Sequence, residues 1–242
     1  MNERRAPAWL TQWEYAHRGL HGEGVPENSR AAAEAAIARG MGIECDIQMS
    51  RDNVPMVFHD WELDRLTGAR GKVAARSADE LCALALMETG QTIWRLADLL
   101  ALVAGRVPIL VEVKAQPHLS LSEPCMAINR VLAAYQGPLA VMSFDLRVGE
   151  WFACHAPEAV RGLVVTDTLD HGYKSAWRAP KALERSVPDF LAADVRDLPN
   201  ALAQLWRESG RPLLTWTVRS PDTRARGAAH ADALIAEGAG LA

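Results

Sequence analysis

A (β/α)8 barrel, the TIM-barrel architecture, is the fold class that the sequence predicts, on three observations. Short apolar runs alternate along the 242 residues with longer segments of helical character, the pattern of repeated βα units and a parallel sheet. Eight such runs remain once VPMVFHD is set aside: it follows IECDIQM after only SRDN, too short for a parallel crossover, and must turn back as a hairpin arm. No GxGxxG or GKS loop supports the competing open, doubly wound sheet.

The elements follow in order. WEYAH is the first strand, and Trp9, Leu10 and Trp13 before it are expected to plug the barrel bottom, since no basic amphipathic face favours a membrane surface. The alanine-rich ENSRAAAEAAIARG is the first helix, and GIECDIQM the second strand. A hairpin-containing insertion of about residues 50–94 comes next. Within it, residues 60–94 carry a turn signal at Thr67-Gly68 and a capping box from Ser77 to Glu80, and are expected to form an excursion beside the site, not a second core. RLADLLALVAG leads to the third strand, VPILVEVK, and EPCMAINRVLAAYQG to the fourth, PLAVMSF. RGLVVTD, PDFLAADV, RPLLTWTV and ADALIAE complete the eight, with residues 1–242 read as a single barrel domain.

Composition narrows the ligand. With 26 Lys+Arg against 30 Asp+Glu and no basic block, neither nucleic acid nor an anionic membrane is signalled, and a small polar ligand fits better. No apolar run is long enough for stable membrane insertion, and no apolar h-region follows the early positive charge of a leader, so the expected location is cytoplasmic. The four cysteines are widely spaced with mostly apolar neighbours, as expected of reduced core residues. Composition leaves the oligomeric state open.

In a parallel barrel, reacting groups project from the C-terminal ends of strands. There the sequence places His17-Arg18 after strand one, Glu44 and Asp46 on strand two, His59-Asp60 at the end of the hairpin arm, and Glu112 and Lys114 on strand three. Residues two apart on a strand share a face, so three carboxylates can converge. Unneutralised acids in one place require raised pKa values or a hard cation, and an oxygen-only set favours Mg2+ or Ca2+ over zinc. The competing reading is a structural ion network of Glu44 and Asp46 with Arg18, Lys114 or Arg39.

His17 and His59 suit proton transfer near neutral pH, while Arg18 and Lys114 match an anionic reacting group. Of the remaining histidines, His118, His155, His171 and His230 are read as structural or surface residues, and His21 shares the first loop with His17. Gly19 is expected to permit close approach or an unusual backbone angle where a larger side chain would obstruct the ligand. Pro26 restricts the loop, Glu27 bonds neighbouring loop groups, and Asn28 either caps the following helix or contacts the ligand. Trp216 and Phe144 either fill the core or line the pocket.

AHRG, PENS, IECD, VFHDWELDRLTG, LVEVK, SFD and LLTWTV, in this order, resemble the glycerophosphodiester phosphodiesterases over nearly the whole chain. The resemblance implies a barrel with a small insertion beside the active site, and cleavage of a glycerophosphodiester to glycerol 3-phosphate and an alcohol with one divalent cation, Mg2+ or Ca2+. It implies His17 and His59 as the acid/base pair, Glu44, Asp46 and Glu112 as metal ligands, Arg18 and Lys114 as phosphate-side cations, and Trp216 in the substrate pocket. Two departures stand out: PENS replaces the more common PENT, and the end of strand eight reads Ile235-Ala236-Glu237 where many members carry Thr-Asp. The second is expected to affect the strand end or rim, not the metal site. A lysophospholipase D-like activity on the same core is the enzymatic alternative, and a noncatalytic barrel binding phosphate esters or a protein is the alternative of a different class.

Overall fold

The computed structural model describes residues 6–87, 89–167 and 181–242; His171 lies outside the described residues. Ten strands form one sheet: β1 (Tyr15–Ala16), β2 (Gly42–Met49), β3 (Pro55–Val57), β4 (Trp94–Arg95), β5 (Ile109–Val113), β6 (Leu139–Ser143), β7 (Val160–Val165), β8 (Phe190–Asp194), β9 (Leu213–Val218) and β10 (Ala233–Ala236). Eight of them pair in parallel and close on themselves, because β1 bonds both β2 and β10, with Tyr15 beside Gly42 on one side and Ile235 on the other. The hairpin arm β3 runs antiparallel to β2, as its four-residue spacing requires, and β4 returns antiparallel to β3.

Helices α1 (Arg30–Ala38), α3 (Leu96–Val103), α4 (Ser122–Leu132), α5 (Leu146–His155), α6 (Ala182–Ser186), α7 (Ala201–Glu208) and α8 (Pro221–His230) connect the barrel strands, while α2 (Ala78–Cys82) lies in the insertion. Alternation along each strand sorts its side chains. Ile43, Cys45, Ile47, Ile109, Val111 and Val113 face outward and bury against α1, α3 and α4. The intervening Leu110, Ala140, Met142, Val164, Phe190, Leu214 and Ile235 fill the barrel interior with Tyr15. Leu10 joins that interior cluster, with Trp9 and Trp13 packed against it and the Tyr15 hydroxyl donating to the Leu10 carbonyl at 3.1 Å, so the N-terminal turn closes the barrel bottom as expected. Gly42 is an inward position with no room for more: a Cβ there would lie 2.5 Å from the Tyr15 ring.

The insertion departs from expectation. Met56, Phe58, Leu63, Leu66, Val73, Ala78, Leu81, Leu86 and Ile93 form an apolar cluster of their own, so this segment is a satellite core and not a bare excursion. The capping box is present: Ser77 Oγ accepts from the Glu80 amide at 3.3 Å, and Glu80 accepts from the Ser77 amide at 2.7 Å. Cys45 and Cys125 are buried free thiols, but Cys154 is exposed near the end of α5, where its helical phase turns it away from the core. Among the described residues no helix is long and apolar enough to cross a membrane.

Candidate functional site

The register of β2 and β5 sets Asp46 beside Glu112, and the same-face rule adds Glu44 two residues before Asp46. All three are buried, and one carboxylate oxygen from each lies within 4.8 Å of the others. Lys114 follows β5, and its Nζ bonds Asp46 Oδ1 at 2.8 Å and also reaches Glu112. Asp46 is thereby held well below the usual carboxylate range: its burial pushes the other way, but Lys114, His59, Arg18 and His17 prevail. Glu44 is pushed well above that range by burial and by the charges of Asp46 and Glu112.

Arg18 shapes the same corner with its backbone. It sits at φ 57°, a left-handed conformation that costs a side-chain-bearing residue about 1–2 kcal/mol. The conformation aims its amide at Glu44 Oε2, 2.9 Å away, while its guanidinium bonds Glu27 at 2.7 Å and places Nε 3.4 Å from Asp46. The neighbouring Gly19 has φ 76°, and a Cβ there would lie 2.9 Å from the Cβ of Ala32 in α1. Gly19 thus takes the unusual backbone angle expected of it, and its lack of a side chain also lets α1 approach closely.

Asn28 does not cap the helix, the first of its two expected roles. The cap of α1 is Ser29, whose hydroxyl accepts from the Ala32 amide at 3.1 Å. Asn28 turns inward at φ 56°, donates to Asp46 Oδ2 at 2.9 Å and accepts from the Asp46 amide at 3.3 Å, while its carbonyl takes the Trp94 indole N–H. It fixes the carboxylate that faces Lys114. Arg39, weighed as a partner of the acids, instead bonds the terminal carbonyl of Ala242.

Each histidine is held through Nδ1 by a carboxylate that an arginine in turn clamps. His59 Nδ1 lies 2.6 Å from Asp60, which accepts from Arg65 Nε at 2.6 Å; Arg65 also forks onto Glu27 at 2.7 and 2.9 Å. The His59 backbone carbonyl accepts from Gln48 on β2 at 2.9 Å, tying the hairpin arm to the barrel. His17 Nδ1 bonds Glu237, whose other oxygen accepts from Arg219 at 2.5 Å. Burial lowers the His17 pKa despite the Glu237 hydrogen bond, with Arg18 adding to the effect. Glu237 itself is held far below the usual range, because the hydrogen bonds from His17 and His21 outweigh its burial. In both rings a proton on Nδ1 leaves Nε2 with a free lone pair, and His17 Nε2 faces Glu44 Oε2 at 3.9 Å.

Glu237 is the residue whose importance sequence reasoning missed. It lies at the end of the eighth barrel strand, β10, and outside the acid cluster, as expected, but it also continues the inward alternation of Ala233 and Ile235 and so meets His17 at the end of β1. Trp216 and Phe144 form an edge-to-face pair at 5.3 Å, with the Trp216 indole donating to the Ala192 carbonyl at 2.8 Å and Lys114 Nζ 6.0 Å from the Phe144 ring centroid. Both are partly buried and pack against the interior cluster, so both serve the core.

The acid cluster passes a test for a hard cation. Among the described residues Glu44 Oε1 is buried with no hydrogen-bond partner, Lys114 pairs only with Asp46 and Glu112 and Arg18 with Asp46, and every donor of the cluster is oxygen. A closed parallel barrel carrying such a cluster beside two partnered histidines has the parts of a metal-assisted acid/base enzyme. A model of the Glycerophosphoryl diester phosphodiesterase family matches residues 17–237, and the chain belongs to that family.

Curated relatives agree. The protein named Probable glycerophosphodiester phosphodiesterase 2 from Mycobacterium tuberculosis is 28% identical over 226 residues, 86% of this chain and 80% of its own. The protein named Glycerophosphodiester phosphodiesterase from Bacillus altitudinis is 41% identical over 68 residues, 28% of this chain and 27% of its own. An Oleispira antarctica phosphodiesterase solved with its product sn-glycerol-3-phosphate shares the fold, with a TM-score of 0.81 at 23% identity over 93% of this chain and 92% of that one. A Thermotoga maritima glycerophosphodiester phosphodiesterase gives 0.74 at 23% over 92% of each.

Proposed function

We propose that this protein hydrolyses glycerophosphodiesters to glycerol 3-phosphate and an alcohol through a cyclic phosphate, with His17 and His59 exchanging proton-transfer roles between the two steps. The observation that carries this reading is the pair of Nδ1-anchored histidines, on Glu237 and Asp60, flanking the acid cluster. With Nδ1 committed, each ring works through Nε2. One ring takes the proton of the glycerol 2-hydroxyl as that oxygen attacks phosphorus, and the other gives a proton to the departing alcohol. Water then opens the cyclic ester with the two rings in reversed roles.

Glu44, Asp46 and Glu112 would hold one divalent cation, Mg2+ or Ca2+, as the oxygen donors and the unpartnered Glu44 Oε1 favour. Bound there, the cation supplies charge stabilisation for the phosphoryl oxygens. Arg18 and Lys114, already fixed by Glu27, Asp46 and Glu112, present positive charge to the phosphate without reorganising. The insertion of about residues 50–94 contributes His59 and Asp60 and so belongs to the site, within one barrel domain over residues 1–242. Trp216 and Phe144 offer an apolar wall to the glycerol or headgroup carbon atoms. The buried thiols of Cys45 and Cys125 favour a reducing, cytoplasmic setting.

The test is a substrate analogue that lacks the glycerol 2-hydroxyl. The cyclic route predicts that glycerophosphocholine is cleaved and its 2-deoxy analogue is bound but left intact. Cleavage of both at similar rates would overturn the route and favour direct attack by water.

A further inference from the structure

The first loop carries a second cluster that proton transfer alone does not use in full. His17, His21 and Glu237 each offer a ligand atom within 4.8 Å of the others', and Glu237 Oε2 is the atom that both rings approach, through His17 Nδ1 and His21 Nε2. The His21 Nε2 to Oε2 separation is 3.4 Å. Two ligand atoms of a tetrahedral zinc with bonds of about 2.0–2.1 Å stand roughly 3.3 Å apart, so the His21 pair already has that spacing and the hydrogen-bonded His17–Glu237 pair must open to it on binding. The backbone fixes each contributor: the His17 amide donates to Ala236, the His21 amide to Gly19 and the Glu237 amide to Val218. Arg219 occupies Oε1 and leaves Oε2 to the rings, while the His21 and Glu237 side chains are 22% and 18% exposed, which opens a way in and a fourth position for water. Among the described residues no second imidazole joins His59 and Asp60 in a matching trio.

We infer that His17, His21 and Glu237 constitute a second cation site, distinct in chemistry from the acid cluster, that takes a borderline divalent transition ion of the zinc class. Two imidazoles and one carboxylate suit zinc, whereas the all-oxygen cluster suits Mg2+ or Ca2+. The donor types separate the two ions.

Occupancy has a consequence that rests on the proposed role of His17. When Glu237 anchors Nδ1–H, Nε2 keeps its lone pair and can accept a proton. When a metal takes the Nδ1 lone pair, the single proton of the neutral ring moves to Nε2, and the ring loses its acceptor with no net proton released. Zinc at this site therefore inhibits turnover while leaving the acid cluster loaded.

The experiment is a Co2+ titration of the whole protein in excess Mg2+, which fills the oxygen site, followed by displacement with Zn2+. One equivalent of Co2+ should produce the strong visible bands of a four-coordinate, nitrogen-containing site; Zn2+ should bleach them, and His21→Ala and Glu237→Gln should each abolish them. In parallel, the zinc concentration that halves glycerophosphocholine hydrolysis should rise about tenfold or more in His21→Ala, in line with the usual loss on removing a ligand-shell partner. Circular dichroism verifies that both variants are folded. Absence of the bands in the wild type, or unchanged bands in a folded His21→Ala, would overturn the site. Bands that require His21 together with full turnover at saturating zinc would uphold the site and refute proton transfer by His17.

Discussion

Glu44→Gln separates the cation from the rest of the site, because its effect on the folded protein has opposite signs with and without the ion. Glu44 is 1% exposed, and its Oε2 accepts the Arg18 amide while Oε1 has no partner among the described residues. Glutamine keeps the shape and the Arg18 hydrogen bond. In cation-free protein, burial first, then Asp46 and Glu112, raise the Glu44 carboxyl well above its ordinary range. The folded chain thus retains a proton that the unfolded chain releases above the ordinary glutamate pKa. Stability is fully present below that pKa and falls as pH rises toward the folded-state value, by about 1.4 kcal/mol per pH unit for one whole proton.

The variant has no such proton, so urea unfolding in EDTA across pH 5–8 should show wild type losing stability relative to Glu44→Gln as pH rises. Taking the difference cancels the contributions of carboxylates remote from the cluster. Added Mg2+ or Ca2+ reverses the order: at a hundred times the dissociation constant, binding to the native state contributes about 2.7 kcal/mol to wild type and far less to the variant. Parallel pH curves in EDTA, or equal stabilisation of both proteins by the cation, would refute the placement of Glu44 as a cation ligand.

The other predictions concern proton transfer, packing and thiol access. His17→Ala and His59→Ala should each cut turnover by about 10²–10⁴-fold with cation-induced stabilisation retained, measured by initial rates and thermal shift on the same preparations. Gly19→Ala should destabilise the protein by about 1–3 kcal/mol in urea titrations, from the 2.9 Å approach to Ala32 and the positive φ together. Asn28→Ala should weaken cation binding about 10–100-fold by calorimetry, since both of its side-chain hydrogen bonds hold Asp46. With a thiol reagent near neutral pH, exposed Cys154 should react at once, while buried Cys45 and Cys125 react only on unfolding, Cys125 having its thiol pushed up to about 12 by burial.

Much of this site is legible in the amino-acid sequence, for reasons that are local. The two-residue spacing of Glu44 and Asp46, and of Glu112 and Lys114, fixes a shared face once the segments are strands, and parallel pairing then sets Asp46 beside Glu112. The short SRDN link forces the antiparallel arm that delivers His59. What stays hidden depends on backbone choices that composition does not record. Asn28 and Ser29 are both good caps, and only the left-handed turn at Asn28 sends its amide to Asp46 and leaves the cap to Ser29. Gly19 is indistinguishable in sequence from a ligand-facing glycine until Ala32 packs against it. Glu237 follows the inward parity of β10, but its contact with His17 arises only when the barrel closes β10 onto β1, more than two hundred residues apart in the chain.

The most direct test is glycerol 3-phosphate release from glycerophosphocholine and glycerophosphoethanolamine, first in EDTA, then with Mg2+ or Ca2+ restored, with His17→Ala alongside. The expected result is release that EDTA abolishes, that either cation restores, and that the folded variant lacks. A folded, cation-loaded wild-type protein that releases no glycerol 3-phosphate from either diester, or that releases it equally well in EDTA, would contradict the assignment of this barrel as a metal-dependent glycerophosphodiester hydrolase.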